Sequence, residues 1–365
     1  MIHLSMRLWH RHRRMRKRQL PLTRGLTRLQ RLIPRSKPQQ RKGRMGKVFR
    51  FSLSVKQTII WNGGAPMGNK WKNLRSYWNK PQRAAYLFLL PAAILILVFN
   101  IIPLFASFVI SMLDMGISFD SAKFVGLDNF KEALTDRRFI NSLIVTIKFT
   151  VIEVPIQMVL GLVLSAMLTK NTFTNKLFRS IYFIPIVCSA TAIGIMWQII
   201  LHSNVGLITY WVKLLGFGKV NFLNTPGLTL GVVIFVSVWR TFGISTIILI
   251  SAMQNVPGDY YEAADIDGAG KIRQFFSITL PCIMPSFWFL LMTRVIGSLQ
   301  VFDLVFTLTD GGPNYTTETL VTYVYNRAFD VGNRMGYATA MSEFLFLIIM
   351  VITLIQYRIM KKTEY

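Results

Sequence analysis

The chain has 365 residues, 52% of them apolar and only 16% charged, which excludes an ordinary soluble protein of this size. Its formal net charge of +26 belongs to one end: residues 1–83 hold 23 Lys/Arg and no acid, and the remainder holds 19 bases against 16 acids. That asymmetry gives no reason to read the whole chain as a nucleic-acid binder.

Residues 1–66 are rich in Arg, Lys, Pro and Gln and contain no apolar run long enough to span a bilayer or serve as a secretory signal. They read as a basic tail on anionic lipid, as a nucleic-acid arm, or as a segment that is never made. "NGGAPM", Asn62 to Met67, favours the last reading. Gly-Gly can be encoded by a purine-rich ribosome-binding sequence at a suitable distance from a Met codon. Synthesis is therefore expected to start at Met67, with 67–83 a short basic tail in the cytoplasm.

Beyond it lie charge-free runs from Ala84 to Leu113 and from Ser180 to Val212. A spanning helix needs only about 20 apolar residues. Six spans are predicted, near 85–112, 143–168, 180–201, 229–253, 283–305 and 337–357. Pro91, Pro103, Pro155, Pro185 and Pro285 fall inside them and are tolerated, because neighbouring helices re-satisfy freed backbone groups. With both ends cytoplasmic, the inside segments hold 13 Lys/Arg in 65 residues and the outside segments 8 in 87. This satisfies the positive-inside rule. Cys188 and Cys282 read as small apolar residues in packed helices rather than a disulfide. His3, His10 and His12 lie in the leader and His202 stands alone, so no metal-ligand spacing exists. Trp197, Trp211, Trp239 and Trp288 read as packing or interfacial residues, and Lys148 as a snorkelling side chain.

The loop about 254–282, placed in the cytoplasm by charge counting, reads "VPGDYYEAADIDGAGKIRQFFSITLP" from Val256. Pro257 suits a helix start, and Asp259 and Glu262 put negative charge in the first turns. Gly268 and Gly270 break the helix, and Ile272 to Ile278 forms a second amphipathic piece leading back to the membrane at Leu280-Pro281. The "GAGK" inside is not a phosphate loop. A Walker A motif would need glycine at 265 and Ser/Thr at 272, where Asp265 and Ile272 stand. Glu262, Asp265 and Asp267 would also repel a triphosphate.

Glu262-Ala263-Ala264, Gly268, Ile278, Leu280 and Pro281 fit the pattern E-A-A, three residues, G, nine residues, I-x-L-P without a gap. The segment resembles the EAA loop of the membrane subunits of bacterial binding-protein-dependent ABC importers. "FVGLDNF" (Phe124 to Phe130), "VFDLVFTLTDGGP" (Val301 to Pro313) and "GYATAMSEFLFLIIMVITLIQ" (Gly336 to Gln356) are similar to its carbohydrate-transporting branch. The resemblance covers Met67 to Tyr365. It implies an all-α, polytopic permease of the type I importer architecture in the bacterial cytoplasmic membrane. It also implies a second, different permease, two cytoplasmic ATPase subunits, a solute-binding protein and a carbohydrate substrate. ATP and Mg would be used by the ATPase and not by this chain, which would be no enzyme. Glu262 would be the polar anchor at the ATPase, Ala263 and Ala264 would permit close approach, and Gly268 would provide the turn, with Asp267, Ile278, Leu280 and Pro281 completing the coupling segment.

Glu153, Arg240, Arg294 and Glu343 fall deep within predicted spans, where charges face a bundle interior or a wet cavity. Two readings stay open: acids and bases pair to hold helices together, or Arg240 beside Trp239 lies on the substrate pathway with Arg294, Gln300 and Asp303. An ion-coupled secondary transporter using Glu153 or Glu343 is a rival reading, as is an importer of a non-sugar such as glycerol phosphate. A membrane-embedded enzyme would need clustered His, Asp or Cys at one face, and the sequence has none.

Overall fold

The computed structural model describes residues 81–118, 122–330 and 332–363; the leader 1–66 and the tail 67–80 lie outside the described residues. Helix α1, Pro81–Ile96, passes through a π-helical turn, Leu97–Ile101, into α2, Ile102–Ile110. Pro103 explains the extra residue in that turn, because proline has no N–H and its ring collides with the carbonyl four residues back. Together they make the first span, Phe88–Ile110, which buries none of its residues. A two-residue ribbon follows, β1 (Leu113–Asp114) antiparallel to β2 (Lys123–Phe124), then α3, Asp128–Thr135. The Asp136 carboxylate accepts the Arg138 N–H and caps α4, Arg137–Leu168, the second span.

The third predicted span is broken. Helices α5 (Phe173–Val187) and α6 (Ala190–Ile200) meet at 97°. Cys188 and Ser189 are extended, with ψ of 145° and 139°, so the i→i−4 ladder stops there. Composition reads straight through such a break, which is why the apolar run looked like one rod. Short helix α7, Leu207–Val212, leads to the fourth span, α8, Leu228–Gln254. Helix α9, Gly258–Ile266, has Pro257 at its cap, one residue outside the expected position.

The fifth span begins earlier and ends sooner than expected. It runs Lys271–Leu299, through α10 (Lys271–Gln274), a π-helical turn Phe275–Thr279 and α11 (Leu280–Leu299). Ile272 to Ile278 is thus not a separate amphipathic piece but the first turns of the span. Pro281, which cannot donate to residue 277, accounts for the π turn. Asp303, expected near the span's end, instead opens a separate helix, α12, Asp303–Thr309. Helix α13, Leu320–Tyr325, precedes the last span, α14, Met335–Thr363. Among the described residues, five helical segments are long and apolar enough to cross a membrane, six spans if the bent pair counts as one.

Three apolar clusters hold the bundle: Phe149, Val233 and Leu308 between α4, α8 and α12; Phe139, Tyr323 and Met341 between α4, α13 and α14; Met158, Leu249 and Leu290 between α4, α8 and α11. Helix α4 joins all three. Its last carbonyls are capped by Arg179, whose guanidinium donates to the oxygens of Leu168 at 3.1 Å, Thr169 at 3.1 Å and Lys170 at 3.2 Å. Cys188 and Cys282 are free thiols at exposed positions, not packed ones as expected. Lys148 is exposed, as a snorkelling side chain requires.

Small residues let the helices approach. A Cβ on Gly243 of α8 would stand 2.0 Å from the Tyr182 carbonyl oxygen of α5, whereas one on Gly231 would meet nothing within 4 Å. Gly243→Leu is therefore expected to destabilise the detergent-solubilised protein by about 1–3 kcal/mol, as overpacking does. Gly231→Leu should leave its melting curve nearly unchanged.

Candidate functional site

The segment 255–270 stands at the end of the bundle where spans four and five meet. Asn255 and Val256 cap α8, and extended Pro257 turns the chain into α9. Asp267 caps the far end of α9, and Gly268 takes φ +71°, a left-handed conformation that glycine alone adopts without strain. The Ala269 N–H donates to the Ala264 oxygen and closes the turn. Glu262, Ala263 and Asp267 are exposed, Ala264 half-buried. Ile278 and Leu280 are half-buried in the start of span five and Pro281 is exposed. Ile266 is 87% and Ile272 78% exposed, flanking the polar residues. Hydrogen bonds from Gln274 and Lys271 hold the Asp265 carboxyl below its ordinary range.

A second site lies within the bundle. Glu153, Gln157, Ser237, Arg240, Arg294, Ser298, Gln300, Phe302 and Asp303 border a hollow of 240 Å³ between α4, α8, α11 and the start of α12. Glu153 is 4% exposed, and one of its oxygens accepts the Ser237 hydroxyl at 3.3 Å. Its other oxygen, the Gln157 amide nitrogen and the Nε atoms of Arg240 and Arg294 are buried without a hydrogen-bond partner. Buried polar groups of this kind are ordinarily satisfied, so a cluster of them facing one hollow suits a polar ligand.

Of the two readings left open for the membrane charges, direct pairing is not what the structure shows. Among the described residues, none of Glu153, Arg240, Arg294 and Glu343 makes an ion pair within 4.0 Å. Three of the four share the hollow, but Glu343 lies elsewhere and accepts the Ser107 hydroxyl at 2.7 Å. Trp239 also leaves the group. Neighbouring residues on a helix point about 100° apart. Trp239 accordingly packs edge-on to Trp197 at 5.4 Å and lines an apolar groove of 540 Å³ with Ile152, Ile156 and Phe235. Trp197 is buried, Trp288 half-buried and Trp211 exposed.

Sequence reading missed Gln157, Ser237 and Ser298, although helical spacing could have found them. Each lies three or four residues from a named charge, on the same face: 153 with 157, 237 with 240, 294 with 298.

It also missed a polar network at the opposite end of the bundle. Arg138 grips the fully buried Glu318 with two hydrogen bonds of 2.8 and 2.7 Å and lies 3.8 Å over the Tyr315 ring. Asp136 accepts the hydroxyls of Tyr323 and, at 2.8 Å, Tyr337. Burial pushes the Asp136 carboxyl up, but these hydroxyls and the N–H groups of Arg138 and Phe139 outweigh it and hold it below its ordinary value. Arg334 clamps Glu132 in the same way.

Against known proteins, the chain is similar to the probable ABC transporter permease protein YurN of Bacillus subtilis strain 168. They are 32% identical over 287 residues, 78% of this chain and 98% of that protein. It is equally similar to the trehalose/maltose transport system permease protein MalF of Thermococcus litoralis, 32% identical over 278 residues, 76% of this chain and 93% of that one. A crystal structure of a bacterial ABC transporter involved in import of the acidic polysaccharide alginate shares the fold. Its TM-score is 0.69 at 23% identity, covering 81% of this chain and 99% of that one. The family model described as binding-protein-dependent transport system inner membrane component matches residues 157–365, which hold the exposed α9 turn and most of the residues around the polar hollow, though not Glu153. On these matches the chain belongs to the family of inner membrane components of binding-protein-dependent transport systems.

Proposed function

We propose that this chain is the permease subunit of an ATP-driven carbohydrate importer. It forms the pathway with a second, different permease, receives substrate from a solute-binding protein and docks α9 on cytoplasmic ATPase subunits, which hydrolyse ATP. Both chain ends then lie in the cytoplasm of a bacterial inner membrane. The observation that carries the docking role is the exposed outer face of α9, with Glu262, Ala263 and Ile266 turned outward beyond the spans. The ABC transporter permeases among its relatives support the ATP-driven reading over the ion-coupled one.

The polar hollow is the proposed substrate position. Arg240 and Arg294 face Glu153 and Asp303 across it, so its formal charges cancel. A neutral, hydroxyl-rich ligand suits such a site, whereas an anion would meet two carboxylates. A volume of 240 Å³ accommodates one sugar ring of a longer chain at a time. The two guanidiniums on the hollow would suit a glycerol phosphate substrate.

The test is to purify the complex and reconstitute it with a set of oligosaccharides and glycerol phosphate. ATP-driven uptake of a saccharide is expected, and Arg294→Ala should cut it about tenfold or more, as losing a charged hydrogen-bonding partner does. A preparation without a co-purifying ATPase, or uptake driven by an ion gradient in ATP-depleted vesicles, would overturn the importer reading.

A further inference from the structure

The α9 turn is attached unequally to its two neighbours. Among the described residues, no side-chain hydrogen bond or ion pair ties α9 to α8; the connection is the short strap Asn255–Pro257. Toward span five there are two separate ties. In the first, the Asp265 carboxylate accepts from Lys271 Nζ at 3.0 and 3.3 Å and from the Gln274 amide. Gln274 is 3% exposed, and its amide also donates to the Ala269 oxygen at 2.9 Å, while its own oxygen accepts from Lys271 at 3.1 Å. In the second, the Tyr261 hydroxyl bonds the buried Thr279 hydroxyl at 2.8 Å.

The placement of these ties decides what they do. Tyr261 and Asp265 are four residues apart and share one face of α9. One attachment would let α9 pivot, but two at different heights fix its angle. On the other side, Gln274 lies just before the π-helical turn Phe275–Thr279 and Thr279 closes it. The ties therefore splint the one interruption in span five. Beyond it α11 runs unbroken to Arg294, Gly297 and Ser298 on the polar hollow. At about 1.5 Å per residue, span five as a whole, from Lys271 to Ser298, joins the docking turn to the hollow over roughly 40 Å.

We propose that Tyr261–Thr279 and Asp265–Lys271–Gln274 form a latch that makes α9 and span five one rigid lever, so that displacement of the docked helix reaches the hollow through span five rather than span four. The latch rests on the docking role proposed above for α9. Its members are positioning residues, because none touches substrate.

The experiment uses the purified complex with its ATPase, in a Cys188→Ser, Cys282→Ser background. Gln300→Cys at the hollow serves as the reporter, and its reaction rate with a maleimide is compared with and without ATP plus vanadate. With the latch intact, trapping nucleotide is expected to change the rate about fivefold or more, the scale of ordinary site-to-site coupling. Tyr261→Phe with Gln274→Glu, which sets two carboxylates against each other, should reduce that change below about twofold while the ATPase still co-purifies. Asp265→Asn with Gln274→Glu exchanges donor and acceptor within that pair, keeps Lys271 bonded to position 274 and gives up only the bond to the Ala269 oxygen; it should restore most of the response, which a merely damaged turn would not. A full response in the latch-broken variant would overturn the latch alone. Loss of the ATPase from that variant would place these residues in the docking surface and also overturn it. A complex with intact latch and no nucleotide response would bring down the docking reading, and the latch with it.

Discussion

Gly268→Val is expected to abolish most ATP-driven transport while the permease still inserts and accumulates in the membrane. At φ +71° a non-glycine residue is strained by about 1–2 kcal/mol, and a β-branched side chain by more. That strain falls on the turn that directs α9, so the docking surface is re-aimed and uptake should drop about tenfold or more, a factor of ten for each 1.36 kcal/mol. No steric collision confounds the result, because a Cβ at Gly268 meets nothing within 4 Å. Gly270→Ala is the matched control: its φ of −64° suits any residue and its Cβ also meets nothing. Vesicle uptake against membrane-fraction abundance separates lost coupling from lost protein. Undiminished uptake in Gly268→Val would remove α9 from the transport mechanism.

Arg138→Met should be the most damaging single change to stability. Glu318 is fully buried, and Arg138 supplies its bidentate partner. Removing one member of a buried pair leaves an unpaired charge at about 3–5 kcal/mol, whereas replacing both by apolar residues is often neutral. Thermal unfolding in detergent should therefore show a large loss for Arg138→Met and substantial recovery for Arg138→Met with Glu318→Met. The neighbouring Asp136 tie sets the acid limit of the same region. Its carboxyl titrates lower folded than unfolded, so its contribution is complete above its ordinary value of 3.8 and is lost only as the pH falls further. A double variant no more stable than the single would mean that Glu318 is held by other groups.

What the sequence disclosed and what it hid divide along a physical line. Span positions follow from local apolarity, and the α9 turn from Glu262, Gly268 and Leu280 at fixed local spacing, so both were legible. The bend at Cys188 and Ser189 was not, because helix and extended backbone are open to the same apolar residues. The opposite-end network was hidden by separation: Arg138 and Glu318 are 180 positions apart, and neither stands out alone. The polar hollow was half visible. Its charges are conspicuous in an apolar chain, but Gln157 and Ser237 become significant only when α4 and α8 are set side by side.

The bend between α5 and α6 also says something about the solvent around this chain. An uninterrupted helix hides its peptide groups from hydrocarbon, but Cys188 and Ser189 leave the ladder, and Cys188 is exposed. Acyl chains cannot hydrogen-bond the carbonyls freed there, so irregular backbone at membrane depth survives only against protein or water. If this elbow lies at hydrocarbon depth, the flank of the bundle there is no lipid-wetted wall: an aqueous cleft or a neighbouring subunit must cover it, and the annulus of lipid is interrupted at that point.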